Sequence, residues 1–284
     1  LVLGISHGMV GIVEGKMPGK VCNLCYSSQD IYFNYLTLKK CYEQYYYEIK
    51  DLKYVVIDMF DYFYFNFDTI LSGAFDSFFE ASGFLCEERS PWNKVQSVQQ
   101  INEILIDIWQ EGKTAWEQKL FSEFFPYARE RDRGVYKENT VYDAGLADSE
   151  ILKFKSSPKV PELESKIFHH TIQFQVDNMV KLFLLLKKIQ PQIRIFLVLL
   201  PKYKVVEDVE KSLNRTWKTF FMNIIGELKK DFAFELLDFK DYEEISAHKE
   251  NYRDLTHLGP DGAARFTEHL SDLLIHQYGL DALF

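Results

Sequence analysis

The sequence predicts an α/β protein, a three-layer α/β/α domain built on a parallel sheet of about five strands. Three observations carry this. Short apolar, β-branched runs recur along the chain, as in Tyr54–Phe60 and Ile193–Leu200. Long amphipathic stretches separate them, which is the pattern of parallel strands covered by helices on both faces. The chain has 284 residues, 47 % of them hydrophobic, with 24 Phe and 17 Tyr, enough apolar material for one large core without staples. We therefore read residues 1–284 as a single domain.

Leu1–Ile5 reads as a short buried strand that stops at Ser6, with His7–Val13 opening a helix or a loop. The Pro18-Gly19 turn leads into a second short strand, Lys20–Leu24. Asp30–Lys50 carries an aromatic and leucine face at helical spacing, and Tyr54–Phe60 is a strong buried strand. Phe168–Gln190 and Val205–Lys230 read as long amphipathic helices on either side of a strand at Ile193–Leu200, which Pro201 stops. Phe232–Asp238 is the fifth strand, and Ala263–Tyr278 the closing helix. The alternation breaks once. From about residue 65 to residue 161 there is no clear strand, and we expect a mainly helical insertion there, with Trp92, Trp109 and Trp116 nearby. It would serve as a cap over a site or as an extra helical layer.

A net charge of −9 argues against sequence-independent nucleic-acid binding, which depends on neutralising phosphates. No apolar stretch approaches the 18 or so residues that span a bilayer. The absence of a leader points to the cytoplasm. The chain opens inside a strand without a Met, so a cell-envelope location would follow if an anchor has been removed. Cys22-x-x-Cys25 invites a metal or redox reading. With no second such pair and no His at ligand spacing, we read these cysteines as small buried hydrophobes and expect no metal and no organic cofactor. Arg129, Arg131 and Arg133 form a basic cluster, read as a solvated loop or an anion-binding patch. His169-His170 cannot share a helix face.

In an open parallel sheet, ligands bind beyond the carboxyl ends of the strands. Ser6 ends the first strand, and Gly4 and Gly8 let the backbone turn tightly around it. A helix starting there would offer N–H groups to an oxyanion. A serine hydroxyl needs a base before it becomes a useful nucleophile. Asp254-Leu255-Thr256-His257 near the other end of the chain supplies one: His257 as base and Asp254 as the carboxylate that orients it. This is the set of a serine esterase, provided the fold brings the two ends together.

These residues resemble a family, the SGNH or GDSL-like hydrolases and acyltransferases. Gly4-Ile5-Ser6-His7 resembles its nucleophile block, and Asp254-Leu255-Thr256-His257-Leu258 its last block, with the catalytic Asp and His. Asn23-Leu24-Cys25-Tyr26-Ser27-Ser28 resembles the second block, which places Ser28 where a backbone N–H helps form the oxyanion hole. The third block normally supplies an asparagine. Here Asp58-Met59-Phe60-Asp61-Tyr62-Phe63 stands in its place, with Tyr62 the nearest match and Asn66 a weaker substitute. The resemblance implies a flavodoxin-like sheet and acyl transfer through an acyl-serine, with no cofactor. It also implies a carbohydrate or other acyl-ester substrate, an acyl donor where a sugar hydroxyl receives the group, and a likeness to bacterial proteins that modify surface glycans with acyl, commonly acetyl, groups. His7 joins Asn66 as a candidate substrate contact. Two rivals stand beside this expectation: an inactive glycan-binding or assembly protein of the same fold, and a nucleotide-binding α/β protein, which would lack any Walker lysine or GxGxxG run.

Overall fold

The computed structural model describes residues 1–26, 29–67, 145–157, 167, 169–213 and 215–280. Four strands form one parallel sheet in the order β1 (Val2–Leu3), β2 (Tyr54–Asp58), β3 (Arg194–Leu199) and β4 (Glu235–Asp238). Val2 pairs with Val56, Val56 with Phe196 and Phe196 with Glu235, so the register runs straight across the sheet.

Four strands stand where five were expected. Lys20–Leu24 contributes a single parallel bridge, Val2 to Asn23, beside β1. Val2 N–H donates to the Cys22 carbonyl at 2.9 Å and Leu24 N–H to the Val2 carbonyl at 2.8 Å. The outward amide of Asn23 is taken by the Glu14 carboxylate at 2.5 Å, and its side-chain NH2 donates to the Gly8 and Ile12 carbonyls. Side chains thus close this edge, and the segment needs no long ladder to be held.

The strands show why the sheet is covered twice. In β2 and β3, Val55, Ile57, Ile195, Leu197 and Leu199 face one apolar cluster, while Tyr54, Val56, Phe196 and Val198 face another. Period-two alternation with both sets apolar needs a layer on each side. Helices α2 (Ile31–Gln44), α5 (His169–Ile189) and α7 (Arg215–Asp231) cover the first face, through Leu38, Phe183 and Phe221 among others. Helices α1 (Ser6–Gly11) and α9 (Pro260–His276) cover the second, through Met9, Phe266 and Leu270.

The expected helix 30–50 is two, α2 and α3 (Tyr46–Ile49), and the expected helix 205–230 is α6 (Lys204–Leu213) followed by α7. Most of the expected 65–161 insertion lies outside the described residues, as do Arg129, Arg131 and Arg133. Its described parts are a 3-10 turn, Tyr64–Asn66, and α4 (Asp148–Ser156). A further short helix, α8 (Glu243–Ser246), precedes the loop to α9. Among the described residues no helix is long and apolar enough to cross a membrane.

Helix α9 ties the two ends of the chain together. Val13 N–H donates to Thr267 Oγ1 at 3.0 Å, and Thr267 Oγ1 donates to the Ala263 carbonyl at 2.7 Å. The segment after the first strand therefore lies against the last helix.

Candidate active site

The chain leaves β1 through Gly4, whose φ of 146° only glycine adopts readily, and enters α1 at Ser6. On the opposite rim, the loop Arg253–Leu258 is a tight hairpin. Tyr252 and Leu258 form an antiparallel bridge, and Arg253 N–H donates to the His257 carbonyl at 3.0 Å. Gly259 N–H then donates to the Asn251 carbonyl at 2.8 Å, just before Pro260 opens α9.

Ser6 Oγ lies 2.8 Å from His257 Nε2 although 251 residues separate them. His257 Nδ1 is 3.0 Å from Asp254 Oδ2 and 3.1 Å from Oδ1. An ionised carboxylate only accepts, so Nδ1 carries the hydrogen and Nε2 is left to accept the Ser6 hydroxyl proton. Asp254 Oδ1 also accepts the Thr256 and His257 amides, each at 2.8 Å. Burial alone would push the Asp254 carboxyl up. The hydrogen bond and charge of His257, with those two amides, outweigh it and hold the group at about 2.

His7 stacks on the His257 ring, centroids 4.1 Å apart and planes 22° apart, and tilts against Phe60 at 4.6 Å. It is buried, and neither ring nitrogen has a hydrogen-bond partner among the described residues. Burial first, then the positive charge of His257, Lys202 and Lys240, holds it well below the usual imidazole range. A neutral His7 thus backs the His257 ring as a wall.

The other expected site residues are placed differently. Tyr62 is not at the serine. Its hydroxyl donates to Asp238 Oδ2 at 2.6 Å, beyond the end of β4, with Lys218 and Lys240 against its ring. The cause is Phe60, which takes the left-handed φ of 56° and turns the chain toward β4. The expected oxyanion donor is therefore corrected to a residue of the β4 edge. Asn66 is fully buried within the Tyr64–Asn66 turn, so it offers no side-chain atom to a substrate entering from solvent. Ser28 lies outside the described residues. His248 is exposed, 3.4 Å from Glu250. Cys25 is buried in the α9-side core and Cys22 is half-buried.

Sequence reasoning passed over two features. Asp58 ends β2 fully buried under the Ser6 turn; a lone carboxylate closing an apolar strand was the available signal. Beyond Phe60 and Phe63, Asp61, Lys202, Lys240, Glu207 and Glu210 form a buried ionic cluster. Asp61 pairs with Lys202 and, at 2.6 Å, with Lys240. Lys240 lies 2.9 Å from Glu207, and Lys202 lies 2.8 Å from Glu210. Asp61, Lys240, Glu207 and Glu210 of this cluster floor a cavity of ≈ 450 Å³ that Tyr62 and Trp217 also line and that does not include Ser6 or His257.

No protein-family model matches this chain, and no curated protein does. The functional reading therefore rests on the residues themselves.

Proposed function

We propose that this protein is a serine-dependent acyl-ester hydrolase or O-acyltransferase of the SGNH type, acting on a carbohydrate or similar acyl ester through an acyl-serine intermediate. The observation that carries the reading is the continuous relay Ser6 Oγ, His257 Nε2, His257 Nδ1, Asp254, each step within hydrogen-bond reach. The finer fold reading, a flavodoxin-like three-layer domain, is supported by the strand order. With Asn23 counted as the edge position, the order is that of a doubly wound sheet, and Ser6 lies at its switch point.

His257 takes the Ser6 proton as Oγ attacks the ester carbonyl carbon. The imidazolium so formed is stabilised by Asp254, and the same proton then leaves with the alcohol. Of the turn at Ser6, the Ile5 and Gly8 amides go to Asp58. The Ser6 amide, on the nucleophile itself, is the first oxyanion donor in this reading, and the family resemblance assigns a second to Ser28. Water or a sugar hydroxyl, activated by the same imidazole, resolves the acyl-serine.

A fluorophosphonate probe tests this. The wild type is expected to label, and Ser6→Ala to lose labelling altogether while melting like the wild type. Tyr62, turned away from the serine, favours the rival of an inactive glycan-binding protein of the same fold. A folded wild type that does not label, yet retains an acylated polysaccharide, would replace the enzymatic reading with that one.

A further inference from the structure

We infer that Asp58 is a positioning residue of this site, and that its ionised carboxylate holds the nucleophile turn and the wall behind His257 in working register. The inference rests on the serine-nucleophile reading.

Asp58 is fully buried at the end of β2, directly beneath the first turn of α1. Its Oδ2 accepts the Gly8 amide at 2.6 Å and its Oδ1 accepts the Phe60 amide at 2.8 Å, and the Ile5 amide also donates to the group. One carboxylate thus gathers donors from both sides of Ser6 and from the residue whose ring packs on His7. The fit is close. A Cβ on Gly4 would overlap the Asp58 side chain, and one on Gly8 would lie 2.8 Å from Asp58 Cβ. The Ser6 turn therefore rests on Asp58 with no space to drift. Phe60 holds its left-handed φ of 56°, which costs roughly 1–2 kcal/mol for a residue with a side chain, because Asp58 accepts its amide and its ring is packed against His7. Through that ring, Asp58 also fixes the surface on which His257 lies.

Three amides converge on two oxygens, an arrangement that suits a carboxylate and not a carboxylic acid, whose proton has no acceptor among them. The titratable groups that face Asp58 are His257 from the last loop, Tyr64 from the 3-10 turn and Cys25 beyond the edge bridge. Burial pushes the carboxyl up to about 7, against the pull of the three amides and of His257. Its loss of a proton thus falls near neutrality.

The test is the rate of Ser6 labelling by a fluorophosphonate as a function of pH, in the wild type and in Asp58→Asn. The nitrogen that takes the Ser6 proton must be free, and Asp58 must have lost its own proton. The logarithm of the wild-type rate is therefore expected to rise on the acid side with a slope approaching two, and that of Asp58→Asn with a slope of one. At pH 8 the variant is expected to label at least about tenfold more slowly, the penalty of a displaced nucleophile. A residue that merely stabilised the fold would lower the melting temperature and leave the slope alone. A wild-type slope of one, or a variant with the wild-type profile, would overturn the inference while leaving the nucleophile standing. The wild-type slope decides even where Asp58→Asn fails to fold. A wild type that shows no Ser6-dependent labelling would overturn both readings together.

Discussion

Asp254 performs two tasks with one side chain. Its Oδ1 binds the amides of Thr256 and His257, which fixes the loop that carries the base, while both oxygens lie within reach of Nδ1. Held at about 2, the group stays ionised above about pH 3, so it is not the source of an acid limb near neutrality. The sign matters. A carboxyl held below its unfolded value adds stability above about pH 4, which is lost as the pH falls through the folded value. Asp254→Asn keeps the shape but presents an amide NH2 or oxygen to Nδ1, and it favours the tautomer with the hydrogen on Nε2, which cannot accept from Ser6. We expect labelling to fall by on the order of 10³–10⁴, and the melting temperature at pH 7 to fall by a few degrees as the stability from the ionised carboxylate is lost. A loss below about tenfold, measured with active-site titration, would remove Asp254 from the relay.

At the scale of elements, α9 fixes the His257 loop and leans on the segment that follows Ser6 at once. Its first turn sits against the backbone of Asn251, which is itself pinned by its side-chain NH2 to the Ile245 carbonyl at 3.0 Å. A Cβ on Gly262 would overlap the Asn251 carbonyl, and a backbone atom cannot swing aside. Gly262→Ala must therefore shift the start of α9 and, with it, the loop that ends in His257. The expected result is a destabilisation of about 1–3 kcal/mol. The labelling rate should fall by tenfold or more even well below the melting transition. Unchanged labelling would show that the loop is held independently of α9. The same elements show what was legible in the sequence. Ser6 could be read because an apolar run ended in Gly-x-Ser, and His257 because Asp-x-x-His preceded a Gly-Pro helix start. Asp58 could not be read as functional, since its partners come from α1 and from a backbone turn three residues long. Tyr62 was misplaced because no pattern in Asp58–Phe63 announces that a phenylalanine will adopt a left-handed conformation. Lys20–Leu24 was read as a full strand because its composition suits one. What shortened it was Glu14 taking the edge amide, a contact that periodicity does not encode.

For the whole molecule, buried charge sets stability and reactivity in opposition. In the ionic cluster, burial would push Asp61 up, but Lys202 and Lys240 hold it well below the usual carboxylate range. It therefore stabilises the fold above about pH 4 and stops doing so on acidification. Asp58 and Glu207 behave in the opposite way. Burial pushes each up to about 7, Glu207 despite its 2.9 Å approach to Lys240. Between roughly pH 4.5 and 7 the folded chain keeps protons on these two groups that the unfolded chain has released, so stability falls across that window. His7, held neutral by burial, works against them below about 6.5, where only the unfolded chain is protonated at that residue. Glu210, which burial also pushes up, joins the two carboxyls, and together they outweigh His7 and the Leu1 amine, which burial holds at about 6. The melting temperature is expected to be higher at pH 5 than at pH 8, by several degrees, for a free-energy difference on the order of 1–3 kcal/mol. Labelling of Ser6 is expected to run the other way, because Asp58 holds the nucleophile turn once it has lost its proton. Glu207→Gln removes one of these carboxyls without touching the serine. It should flatten the fall in melting temperature between pH 5 and 8 and leave the pH profile of labelling in place. A melting temperature that rises from pH 5 to pH 8 would mean that Asp58 and Glu207 are already ionised in the acid range, and the opposition between stability and reactivity would disappear with them.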